Sequence, residues 1–448
     1  MNVAALPAAP RLAPVVPGWP ILGSAIPMAR DPLAFLTAAY RRLGPIFRVR
    51  VPGRVITILA GPEANQFMSK DSETLLRSTE TWQPFVGLFG AKHNVISSDG
   101  ELHSRLRKIM KRSHGRSMAA PHLPMLTEVV RAGALALPVG RRVVVISALR
   151  PMITEQLGRL LAGRAAAERT DDLVRVNREA TGVFVVGARP AWTLRLPRYR
   201  RALARVLALG DEVLRAHRET PRDPAASDLI DDLLAAAAAD PSLLSEADLR
   251  MAAIGPFIAG LDTVANACAF LLYELLTRDD VRARVVAEVD ELFAAGPPTL
   301  EGLRSLRTLH AAAMEALRLH PISPALARNA ARDFSFAGHD VREGDPILVA
   351  TGVSHFLPEL WDRPAEFDLQ RFEGPRKPGA YAPYGLGPHT CLGASLADVQ
   401  VVILVATLLH TVELRLDPAG YRLRTILSPG PTPDAGFGMT VVGQRANR

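Results

Sequence analysis

From about residue 100 to residue 320, apolar positions recur with the period of a helix that buries one face. Shorter stretches of alternating character flank this region. IFRVRVPGRVITILAG, residues 46 to 61, alternates on either side of a Pro-Gly turn and predicts a hairpin. DFSFAGHDVREGDPILVA, 333 to 350, is β-rich, and TVELRL, 411 to 416, reads as a strand near the end of the chain. LLAAAAAD, 233 to 240, reads as a helix end before Pro241, and TLHAAAMEALRLHP as a helix stopped before Pro321. Helical pattern returns from 391 to about 411. The fold class this predicts is mainly α with a minor β part.

Composition narrows the setting. The chain has 448 residues, 48% of them hydrophobic, enough for a large core. It has two cysteines, so no disulfide framework is possible, and a reduced, cytoplasmic setting is expected. Its Pro-rich start has no apolar run of signal-peptide length and reads as an arm along the surface. The longest apolar run, 251 to 276, approaches a membrane span, but Asp262, Thr263 and Asn266 lie mid-run. An acid at that depth is costly in lipid, so a buried core helix is expected and no stable membrane insertion. Formal net charge is +8, densest at Arg105, Lys108, Lys111, Arg112 and Arg116. No aromatic platform accompanies this charge, which argues against nucleic acid.

Four stretches carry candidate chemistry. In APYGLGPHTCLGASLA, 382 to 397, Cys391 stands among glycines before an apolar helix. A helix N-terminus favours thiolate over thiol, and glycines let a large flat ligand approach the backbone. A buried, inert thiol is the alternative, and it is the expectation for Cys268. Glu315 and Arg318 stand three apart on one helix face, close enough to pair. AGLDT, 259 to 263, puts an acid and an alcohol beside Gly255, Pro256 and Gly260, where a local opening of the helix is expected. Thr263 bonded to its own i−4 carbonyl, and Asp262 paired with an arginine, is the plainer alternative. SSDGELHSRLRKIMKRSHG, 97 to 115, opens with a capping-box pattern, Ser98 and Glu101, and closes on Gly115 as a stop, with His103 and Arg107 on one side.

Taken together these stretches resemble the cytochrome P450 family of haem-thiolate monooxygenases, soluble bacterial type, from about residue 17 onward. Tyr384, Gly385, Gly387, His389, Cys391 and Gly393 match its haem-binding loop, with Tyr384 where the family usually has Phe. The resemblance implies a helix-rich fold around a buried haem, with residues 1–16 an arm and 17–448 one catalytic domain. It implies haem b as cofactor, Cys391 as the axial metal ligand, and His389, His103, Arg107 and Arg328 as propionate contacts. It implies that Glu315 and Arg318 are completed by Arg371 as a structural triad. By the same resemblance AGLDT is an oxygen-binding motif. Ala259 and Gly260 then leave room for O2, and Asp262 and Thr263 deliver protons to it.

The family's substrate-contacting segments map here onto Trp82, Phe85, Val86, Leu88, Phe89, Ile322 and Leu326. They offer little to a strongly charged molecule, so the expected substrate is apolar: a terpenoid, steroid, fatty acid or polyketide. The basic stretch is then expected to dock an acidic ferredoxin or flavodoxin, itself supplied by a reductase. The expected reaction is O2-dependent hydroxylation or epoxidation. A peroxide-driven enzyme of the same fold and a non-catalytic haem sensor or carrier are the rivals.

Overall fold

The computed structural model describes residues 11–220 and 227–445; residues 1–10 of the expected arm lie outside them. By internal contacts the chain forms two compact units, one of residues 1–81, 323–364 and 376–390 and one of 82–322, 365–375 and 391–448.

The first unit carries the helices α1 (Pro32–Leu43) and α2 (Gly61–Lys70). Asp31 caps α1 by accepting from the Ala34 N–H, and Pro32 sits at its first turn, where no N–H is missed. The expected hairpin is β1 (Ile46–Val51) and β2 (Arg54–Ala60), antiparallel, with Val51 facing Arg54 across the turn. With β3 (Leu76–Arg77), β5 (Leu326–Ala330) and β8 (Pro346–Ala350) these make a five-stranded sheet, ordered β1-β2-β8-β5-β3. The β2–β8 pair is parallel and the others antiparallel. The described part of the arm runs beside this sheet: Val16 donates to the Arg48 carbonyl, and Arg48 to that of Pro14. Two apolar clusters fill the unit, one around Phe67 and Val349, the other around Leu36, Phe47 and Ile58.

The second unit holds most of the helices: α3 (Thr79–Gly87, begun in the first unit), α4 (Gly100–Met110), α5 (Leu123–Leu135), α6 (Val145–Leu161), α7 (Thr170–Phe184), α8 (Pro197–Glu219), α9 (Leu229–Ala239), α10 (Glu246–Leu276), α11 (Asp279–Ala294), α12 (Arg307–Leu319) and α13 (Ala394–Thr411). Helix α10 is apolar almost all round, and such a helix must be buried. It packs against α6, α8, α12 and α13. A minor sheet, β4 (Arg142–Val144), β12 (Gly438–Gln444) and β9 (Val412–Asp417), adjoins them. Helices α10 and α13 are each long and apolar enough to cross a membrane, but 72% of each one's apolar window is buried within the protein.

Three local expectations are corrected. Helix α4 starts at Gly100 with Asp99 as N-cap, so Ser98, which is buried, lies one residue too early to cap it. It also ends at Met110, and Gly115 instead precedes a short helix at Arg116–Ala119. Nor do Gly255, Pro256 and Gly260 interrupt α10, which is one helix of 31 residues.

Candidate active site

Helix α13 begins at Ala394 with Gly393 as its N-cap, which places Cys391 just ahead of the first turn. The N–H groups of Gly393 and Ala394 donate toward its sulfur, and Arg107 lies close enough to favour the thiolate. Against them stands burial, the largest influence, which pushes the thiol up, and Asp398 acts in the same direction. The residue as a whole is nonetheless exposed. Burial in turn lowers Arg107, and the thiolate offsets part of that. Cys268 is a wholly buried core thiol pushed far up by burial. A Cβ on Gly393 would come no nearer than 3.8 Å to His114, so space alone does not demand glycine there.

Between Met251 and Leu276 on α10, only Ala259 and Thr263 are exposed. They stand four apart, on one face. The Thr263 hydroxyl donates to the Ala259 carbonyl at 2.7 Å and approaches that of Gly260 at 3.1 Å. Asp262 points away from this strip and is bound at 2.8 Å by the Arg150 guanidinium of α6. Burial raises its carboxyl, while Arg150, then Asn177 and Arg178 of α7, oppose that. Both plainer alternatives for Asp262 and Thr263 are therefore present in the structure.

Glu315 and Arg318 are each 0% exposed, so theirs is no surface pair. Arg318 holds Glu315 with two hydrogen bonds of 2.7 and 2.8 Å. Arg371 reaches the same carboxylate at 3.1 Å, and the Asp368 N–H at 3.0 Å. Arg318 also donates to the Glu366 carbonyl at 3.1 Å. Helix α12 and the segment 365–375 are thus fastened by one carboxylate.

On α4, His103 is buried and Arg107 partly so. The basic stretch is largely neutralised: Arg105 pairs with Asp240 at 2.8 Å, Arg112 with Asp232 at 2.5 Å and Arg116 with Asp398 at 3.2 Å. Lys108 and Lys111 remain exposed. Among the apolar candidates of this unit, Phe85, Val86 and Phe89 are packed into the core, Phe85 with Trp82 at 5.9 Å and with Phe89 at 5.4 Å. Trp82, Leu88 and Ile322 are half-buried at its edge.

In the first unit, Gly385 and Gly387 adopt φ of +71° and +74°. A Cβ on Gly387 would lie 2.3 Å from the Met68 carbonyl, so here the fold does require glycine. The chain turns on Gly387, whose carbonyl accepts from the N–H and hydroxyl of Thr390. Next to this turn His389 lies 3.5 Å from the Ser78 hydroxyl, and Tyr384 is half-buried. Arg328, on β5, is buried and donates to the Ala327 carbonyl at 2.7 Å; Leu326 is half-buried.

Arg150, Asp398 and Ser78 were not legible as site residues, because each meets its partner across at least 100 residues of sequence. Asp248 had a signal: with Ser245 it makes the S-x-x-D pattern of a helix start.

A family model described as Cytochrome P450 matches residues 172–429. The chain is 28% identical over 417 residues to cyclooctat-9-en-7-ol 5-monooxygenase of Streptomyces melanosporofaciens, covering 89% of this chain and 88% of that protein. It is 27% identical over 400 residues to putative cytochrome P450 139 of Mycobacterium bovis, covering 85% and 90%. The fold is similar, with a TM-score of 0.83 and 23% identity, to a retinoic acid-bound cyanobacterial CYP120A1, over 97% of this chain and 99% of that one. A cytochrome P450DA heme domain gives a TM-score of 0.84 at 21% identity, over 97% and 98%.

Proposed function

The chain belongs to the cytochrome P450 family, and we propose that it oxidises an apolar, isoprenoid-like small molecule with electrons from an external ferredoxin or flavodoxin. As a member of that family it is a haem monooxygenase, with haem b as cofactor, O2 and a small molecule as substrates, and redox partners as electron source. When bound, the haem supplies oxygen activation at a thiolate-ligated iron, whose electron push favours O–O cleavage.

The residues fit that group. A sulfur ahead of a helix N-terminus, approached by two backbone N–H groups and a guanidinium, is the donor chemistry a thiolate ligand needs. In this reading Cys391 is the axial ligand. His103, Arg107, Arg328 and His389 hold the propionates, and Tyr384, Gly385 and Gly393 shape the loop. The observation that carries the reading is the open strip of Ala259 and Thr263, the two exposed residues of the helix between 251 and 276. Ala259 and Gly260 leave space beside the hydroxyl. Thr263 can turn its proton from the Ala259 carbonyl toward that space. Asp262, once released from Arg150, can pass protons to it. Glu315, Arg318 and Arg371 keep the scaffold near Cys391 rigid.

The substrate class is supported by the half-buried apolar side chains of Trp82, Leu88, Ile322 and Leu326. Two similar proteins add to it, one named as a monooxygenase of cyclooctat-9-en-7-ol and one solved with retinoic acid bound. Residues 17–448 are read as one catalytic domain, which suits structural neighbours that match 97% of the chain. A cytoplasmic setting suits the two free cysteines. The engagement of Asp262 by Arg150 keeps a peroxide-driven enzyme as the second reading.

The test is an absorption titration of the haem protein with diterpene alcohols, retinoids, steroids, fatty acids and macrolides in turn. A spin-state shift with the isoprenoids alone supports the proposal. A shift only with another class overturns the substrate assignment. Turnover with hydrogen peroxide but none with ferredoxin and reductase would establish the second reading.

A further inference from the structure

The Asp248 carboxylate is 2% exposed and has no cation on it among its described hydrogen bonds. Four donors hold it instead. One oxygen accepts the N–H groups of Lys92 and His93 at 2.6 and 2.8 Å. The other accepts the N–H and hydroxyl of Ser245, the N-cap of α10, at 2.9 and 2.7 Å. These bonds keep its carboxyl below the ordinary carboxylate range although burial, the largest single influence, acts the other way. His93 adds a second tie, its Nδ1 lying 2.8 Å from the Leu243 carbonyl. A helix cap needs only the Ser245 half of this arrangement. The other half fastens to α10 a segment that follows directly on Leu88 and Phe89.

We infer that Asp248 is a positioning residue for substrate: it locks the segment 88–94 to the N-terminus of the helix that carries Ala259 and Thr263, so that the apolar wall and the reacting face keep a fixed spacing. The inference rests on the reading of residues 82–96 as part of the substrate wall. An amide at 248 could turn its one oxygen to the Lys92 and His93 N–H groups and keep them bonded, so the lock is broken only by removing both oxygens.

The experiment compares the haem protein with Asp248→Ala and, as a cap-only control, Ser245→Ala. Hydrogen exchange at the Lys92 and His93 amides reads the lock without reference to haem. It should rise about tenfold or more in Asp248→Ala, the loss of a charge-assisted bond, and stay near wild type in Ser245→Ala. Two iron ligands of different size then read the wall by absorption: 4-phenylimidazole, which carries a second ring, and imidazole, which does not. In Asp248→Ala the affinity for 4-phenylimidazole should fall about tenfold while that for imidazole holds. Unchanged exchange at both amides, or equal changes in both variants, overturns the lock. Faster exchange with both affinities unchanged overturns the positioning role. Leu88→Ala tells which premise failed. If it weakens 4-phenylimidazole, the wall is where it was placed and Asp248 does not set it. If it does not, the reading of the wall is what fails.

Discussion

Asp262 is bound by Arg150 through Nε and Nη2, both 2.8 Å from a single carboxylate oxygen, and the pair bridges α10 and α6 in the interior of their unit. The acid expected to serve proton delivery is therefore held by a cation on another helix, one residue from the exposed Thr263 hydroxyl. Removing the cation leaves the buried carboxylate with only Asn177 and the charge of Arg178, a loss of up to about 3–5 kcal/mol. Arg150→Ala should lower unfolding free energy by that order in urea titrations. Arg150→Lys should recover part of it.

Thr263→Ala removes the only hydroxyl on the open strip of α10. Product formed per electron consumed should fall about tenfold or more, with hydrogen peroxide accumulating in its place. Thr263→Ser should stay close to wild type. Equal coupling in all three proteins would exclude the hydroxyl from proton delivery.

The Cys391 thiol is raised by burial above its ordinary value, so in the haem-free protein it is protonated at neutral pH. Ligation requires the thiolate. Loading haem at pH 7 should therefore release a proton from this group. A weakly buffered titration with a pH indicator reads the release. Below the raised thiol value haem affinity should rise with pH, and the dependence should vanish above it. Cys391→Ser should abolish both effects together with the thiolate absorption signature.

The resemblance places partner docking on the basic stretch, but the ion pairs there divide it. Arg105, Arg112 and Arg116 are engaged with acids of their own unit, whereas Lys108 and Lys111 are exposed. Charge reversal of the two lysines should raise the KM for ferredoxin several-fold at low salt and leave peroxide-supported turnover unchanged. Arg112→Glu should act mainly on stability. No salt-dependent change in the lysine variants would move the docking site elsewhere.

The hairpin at 46–60 was legible in the sequence from its alternation, and the long helix around 251–276 and the helix after Cys391 from the length of their apolar runs. The start of α4 was not. Both Ser98 and Asp99 are good N-caps by residue type, and local pattern does not choose between them; in the structure Asp99 is the N-cap. The site divides in the same way. Cys391, the Glu315–Arg318 pair and the AGLDT stretch announce themselves by local spacing. Arg150 and Asp398 are single charges in an arginine-rich chain, and nothing local marks them. Nor could pattern tell that Phe85, Val86 and Phe89 are packed into the core while Trp82 and Leu88 keep an open edge. Apolar residues look alike on either side of a wall.

The carboxylate shared by Arg318 and Arg371 has a kinetic side. Glu315 and Arg371 are 56 residues apart in the chain, so their bond closes a long loop whose ordering must precede it. The expectation is that this contact forms after the folding barrier is crossed, a φ-value near zero at Arg371. Arg371→Ala should therefore leave the refolding rate nearly unchanged and show its whole effect as faster unfolding. What the triad then governs in the cell is the lifetime of the folded enzyme rather than how readily it forms.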